Sequence, residues 1–195
     1  VQQALALLHA PDPEGRAACR ERLSVLAHSA APELVEALAL PESFADAEGP
    51  GWAGGAEEAL VDALRACPAA EVVPTLHAIL RRDLSLESRR RLIRVTGLLG
   101  DATSADALLD LVAAMEPARR QLHTIQRELE AALTQILLRH AEACAALAAR
   151  SEEREPLLQT CVARALGSAD GGPGLAGLEH MLGRSPEIDR AVLEA

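Results

Sequence analysis

The 195-residue chain has no lysine, no asparagine and no tyrosine, and its only aromatic side chains are Phe44 and Trp52. All nineteen basic residues are arginine, against 29 acids, for a formal charge of −10. That balance argues against a general nucleic-acid binder, which needs a net basic footprint to displace counterions from phosphates. No run approaches the roughly 20 apolar residues of a membrane span, and no secretory signal is visible. The four cysteines, Cys19, Cys67, Cys144 and Cys161, form no CxxC pair. Each falls within or at the end of an apolar helical pattern, which predicts small buried hydrophobes in a reducing, cytoplasmic setting.

Signatures of chemistry are missing too. The glycine-rich "ADGGPGLAG" contains a proline and follows no strand, so it is not a phosphate loop. No nucleophile elbow organises the serines, histidines and aspartates. His140 and Cys144 are four apart and could face one way, but two ligands without a third do not make a metal site. No catalytic residue, metal or other cofactor is expected, and the chain reads as a non-enzyme.

What the chain does have is alanine, leucine, arginine and glutamate, all strong helix formers, while residues favoured in strands are scarce. The fold class expected is all-α. The bias also suits a GC-rich bacterial genome. In "RRRLIRVTGLLGDATSADALLDLV", residues 89–112, and the turn before it, Leu86, Leu92, Ile93, Thr96 and Leu99 recur at helical spacing. Gly100 stops that helix, as a residue able to take positive φ often does. Thr103 stands three residues before Asp106 like a capping box with the shorter acid. A second apolar face runs Ala105, Leu108, Leu109, Val112 and Met115.

The plan recurs. Helix pairs are expected near 14–28 and 32–40, 56–66 and 71–82, 117–139 and 141–150, and 154–166 and 173–183. Second helices thus begin about every 30–40 residues, the period of stacked supersecondary units. "LLGDATSADALLDLV" resembles the turn of a HEAT-type repeat, and Pro32, Pro74 and Pro173 each fall at the start of a second helix, where a missing N–H costs little. The resemblance, of the HEAT-like, PBS-lyase type, covers most of residues 14–183. It implies a right-handed α-α superhelix, an α-solenoid of about five stacked antiparallel helix pairs, as one domain over 1–195. Its repeats would lie near 12–40, 56–82, 85–115, 117–150 and 152–183, with a partial repeat at 186–195. The fourth unit departs from the pattern, lacking the Gly-Asp turn.

Three features stand out against this background. A Gly/Pro-rich insertion at 41–55 breaks the repeat and holds Phe44 and Trp52. They either anchor a binding partner or cover the groove beside their own repeats. Arg81, Arg82, Arg89, Arg90, Arg91 and Arg94 form a basic cluster, with Arg90 and Arg94 on one helical face and Arg91 nearby. It either receives an acidic partner or phosphate, or is a solvated face neutralised by Asp83, Glu87 and neighbouring repeats. Glu33, Glu36, Asp106, Asp110, Glu142 and Glu179 all fall on second helices, which line the concave surface of HEAT-type arrays. The resemblance therefore implies a mildly acidic concave face that favours a basic or mixed protein segment.

The leading expectation is a scaffold or adaptor that binds another protein along the repeat surface. Among enzymes built on such arrays, the iron-dependent hydroxylase carries repeated His-Glu dipeptides, and this chain has none. The DNA glycosylases need a basic groove, opposite to the charge here. A bilin-lyase-like role is the enzymatic alternative. The opening on Val1 within an apolar pattern and the terminal "SPEIDRAVLEA" also suit an architectural or regulatory spacer of a longer protein.

Overall fold

The computed structural model describes residues 13–39, 52–115, 119–152, 156–169 and 172–194. Among these the chain is all-α, with no strand. In chain order the helices are α1 (Pro13–Ala39), α2 (Trp52–Arg65), α3 (Ala69–Leu80), α4 (Leu86–Leu99), α5 (Ala102–Ala114), α6 (Arg119–Arg139), α7 (Ala143–Arg150), α8 (Pro156–Ser168), α9 (Gly172–Met181) and α10 (Pro186–Glu194). The chain divides into two compact units, 1–92 and 93–195, and the division falls inside α4.

In the first unit α1 packs on both α2 and α3. The two helices expected at 14–28 and 32–40 are present as the two segments of α1, which meet at a kink at Ala30, whose φ of −140° and ψ of 28° leave the helical region. Pro32 follows directly, where the second segment begins and its missing N–H has few helical partners to lose. Leu23, Leu34 and Leu38 of α1 are fully buried, as are Leu60 and Leu64 of α2 and Leu76 and Ile79 of α3. Each such leucine contributes about 1.5–3 kcal/mol before entropy costs. Two boundaries differ from expectation. Helix α2 starts at Trp52 and takes Gly54 and Gly55 into its first turn, where N–H groups lack intrahelical partners whatever residue carries them. Pro74 sits inside α3 rather than at its start, and the Ala70 carbonyl it leaves unserved is on an exposed residue open to water.

In the second unit the helices form two rows. Helix α8 packs on α6 and α10, while α7 packs on α5 and α9. Contacts of α5 with α6, of α8 with α7 and α9, and of α9 with α10 tie the rows together. First helices thus touch first helices and second helices touch second helices, so each pair covers apolar surface that its neighbour cannot bury alone. Leu108, Leu109, Leu133, Ile136, Leu147 and Leu166 fill the space between.

Serines and an aspartate set the helix starts. Ser85 accepts from the Ser88 amide at 3.2 Å and Ser185 from the Ile188 amide at 3.3 Å, each satisfying a first-turn donor. At α5 the cap is Asp101, not Thr103. Its carboxylate accepts from the Thr103 amide at 2.9 Å, and Ser104 completes the box by accepting from the Asp101 amide at 3.2 Å. Gly100 also works differently from expectation. Among the described residues only Gly183 has positive φ, at 81°. Gly100 is required by space: a Cβ there would lie 2.5 Å from the Thr96 carbonyl and 2.7 Å from the Ser104 side chain.

Candidate functional site

The ends of the second helices carry the most organised polar chemistry. Just past the end of α3, Arg82 donates from both terminal nitrogens to Glu36 of α1, each bond 2.6 Å long. This is the parallel fork that matches guanidinium to carboxylate, and it raises the Arg82 pKa. In the second unit Arg150, the last residue of α7, reaches back to α5. It meets Asp106 at 3.0 Å and Asp110 at 2.9 Å. Further along, Arg184 and His180 meet Glu152 at 3.0 and 2.8 Å, and Arg184 donates to the Ser151 hydroxyl. Within each unit, then, an arginine at the end of one second helix is tied to acids on, or just past, the second helix before it.

The rungs absorb several of the acids predicted to face a partner. Glu36, Asp106 and Asp110 are committed within the chain. Glu33 and Glu179 are exposed and make no ion pair among the described residues. Glu71, in the first turn of α3, is likewise exposed without an ion pair. Glu142 is exposed and lies 3.4 Å from the His140 imidazole.

The basic cluster separates into different environments. Arg91 is 6% exposed, donates to the Leu38 carbonyl at 3.2 Å and lies 3.7 Å from the Glu57 carboxylate. It is turned into the first unit, so it ties that unit together and offers no fork to an outside carboxylate. Arg89 is held by Asp83 at 3.1 Å. Arg90 and Arg94 are half-buried and engaged, whereas Arg81 is exposed. Asp83 does neutralise part of this face, through Arg89.

Phe44 lies outside the described residues. Trp52 opens α2, and its side chain also lies outside them. Among the described residues, His140 and Cys144 included, no group of three His, Cys, Asp or Glu lies close enough to hold an ion. All four cysteines are buried, and burial raises the pKa of each thiol. No described helix is long and apolar enough to cross a membrane.

The rungs have a signature in the sequence. Arg82, Arg150 and Arg184 each stand at or just after the end of a second helix, and that recurrence is present in the sequence. Arg139 is harder to find. It leaves the end of α6 to cap α4, donating to the Gly97 and Gly100 carbonyls at 2.7 and 3.1 Å, a pairing that only the helix crossing reveals. Compared with protein-family models, curated proteins and solved structures, the chain gives no significant match.

Proposed function

We infer that the chain is a HEAT-like array serving as a non-enzymatic scaffold, which binds a basic or mixed-charge segment of another protein along its second helices. The observation that carries this reading is the division of labour among charges. Arg82, Arg150 and Arg184 at the second-helix ends are spent on internal rungs, while Glu33 and Glu71 in the first unit and Glu179 in the second are exposed carboxylates with no ion pair among the described residues. A surface on which Arg82, Arg150 and Arg184 are neutralised from within, with Arg81 exposed beside three exposed carboxylates, carries a net acidic balance that suits a cationic partner and disfavours nucleic acid. Neighbour-on-neighbour helix packing in the second unit supports the repeat reading, and four buried thiols suit the reducing cytoplasm.

Capture of partners from native lysate, washed at low and high salt and identified by mass spectrometry, tests it. A defined protein should be retained by the wild-type chain and lost when Glu33, Glu71 and Glu179 are reversed to arginine together. Recovery of nucleic acid alone, or of a pigment-bearing subunit, would reject the scaffold reading and favour the enzymatic one.

A further inference from the structure

A groove of ≈ 510 Å³ opens on the row of first helices in the second unit. Its walls are Arg127, Glu130 and Thr134 on α6, Arg164 and Ser168 on α8, and Glu194 at the end of α10. The volume falls in the range of sites that hold small molecules. Spacing on the helices explains the convergence: Arg127, Glu130 and Thr134 follow one another at three and four residues, and Arg164 and Ser168 are four apart, so each set lies on one face.

The four charges have unequal roles. The side chain of Glu130 is 22% exposed, and its carboxylate accepts from Gln126 at 2.9 Å and from Arg164 at 3.2 Å. It is spent on holding the wall and on fixing the Arg164 guanidinium, which binds it through one terminal nitrogen only. Arg127 makes no ion pair or hydrogen bond among the described residues, although Glu130 lies a single turn away on its own helix. Glu194 is likewise without a described partner. Ser168 donates its hydroxyl to the Arg164 carbonyl, so it can only accept from a ligand. Donors therefore come from Arg127, from the remaining N–H groups of Arg164 and from Thr134, and Glu194 adds to the lining one carboxylate without a described partner.

We propose that this groove binds a small zwitterion, an amino acid or short peptide, with its carboxylate between Arg127 and Arg164 and its ammonium toward Glu194. Charge balance selects this class. Two arginines against one fixed and one available carboxylate leave no excess for a polyanion, while a plain cation would meet two guanidiniums. Planar guanidiniums also suit a carboxylate, which can accept two parallel N–H bonds.

The test follows the arginine side-chain N–H signals by NMR during titration with glycylglycine, N-acetylglycine and glycinamide. Glycylglycine should shift the Arg127 and Arg164 signals saturably. N-acetylglycine, lacking the ammonium, should bind more weakly, and glycinamide, lacking the carboxylate, should not shift these signals. Arg127→Gln should weaken glycylglycine by about tenfold, as expected for one lost charge-assisted contact. Glu194→Gln should reduce glycylglycine to the affinity of N-acetylglycine and leave N-acetylglycine unchanged. Both changes are at exposed positions, so folding is not at stake. Shifts that never saturate, equal shifts with glycinamide, or undiminished binding by Arg127→Gln would each overturn the proposal.

Discussion

Gly97 of α4 and Ala132 of α6 meet so closely that a Cβ on the glycine would lie 2.6 Å from the Ala132 Cα and 2.9 Å from its Cβ. The obstacle is backbone, which cannot swing aside as a long side chain can. Two turns further along α6, Arg139 closes the same crossing by binding the Gly97 carbonyl. The two helices are joined by a contact without room and a clasp beside it.

Gly97→Ala should therefore destabilise the protein, even though alanine is the better helix former. Forcing a methyl into filled space costs about 1–3 kcal/mol, more than the roughly 1 kcal/mol of helix propensity gained. Gly172→Ala is the matched control, because nothing lies within 4 Å of its added Cβ. It should change stability by no more than about 0.5 kcal/mol. Urea unfolding of both variants would show the contrast.

Arg91→Ala removes the guanidinium that lies 3.7 Å from Glu57, whose side chain is only 18% exposed, and that donates to the Leu38 carbonyl. Breaking a buried pair from one side costs about 3 kcal/mol. Arg91→Met should restore part of that loss by filling the space, whereas Arg81→Ala, at an exposed position, should stay within about 0.5 kcal/mol of wild type. If the Arg91 and Arg81 variants melted alike, Arg91 would not be the internal tie described above.

The rung from Arg150 to Asp110 is half-exposed at both ends, so its coupling should be modest. A double-mutant cycle with Arg150→Ala and Asp110→Ala should give about 0.5 kcal/mol at low ionic strength. The coupling should shrink in molar salt, where charges are screened within about 3 Å. Asp106 shares the same guanidinium at 3.0 Å, so the triple variant should lose little beyond the double.

Alkaline titration of stability should report on cysteine. The chain has no lysine or tyrosine, so its side chains offer only thiols between neutral pH and the arginine range. Burial raises each thiol above its ordinary 9.0, most strongly at Cys161. The folded state thus holds its protons while the unfolded chain releases them. Stability is fully present below pH 9.0 and declines as pH rises above it. Urea melts at successive pH values should show this fall, and Cys161→Ala should flatten it. The native thiols should also react slowly with a thiol-exchange reagent at neutral pH, since thiolate is the nucleophile.

Periodicity carried the helices but not their partners. Leu92, Ile93, Leu108, Leu109 and Val112 are buried as their spacing implies, because a 3.6-residue repeat of apolar side chains has one stable use. Gly100 was legible as a stop but not in its reason, since the Ser104 side chain that crowds it is brought there by the turn itself. The carboxylates showed the same limit. Asp106 and Asp110 lie on the expected helix, yet whether an acid faces a partner or an arginine 40 residues away depends on the register of neighbouring helices. Arg91 carries the point furthest: charge predicts the surface, while Glu57 and the Leu38 carbonyl make burial tolerable.

The two rows of the second unit bear on how the chain is made. Its ties close over short sequence distances: 40 residues for Arg150 to Asp110, 34 for Arg164 to Glu130 and 32 for Arg184 to Glu152. A helix leaving the ribosome meets its docking surface already built by the segment before it. Such local order favours rapid, stepwise assembly during synthesis and keeps apolar faces uncovered only briefly.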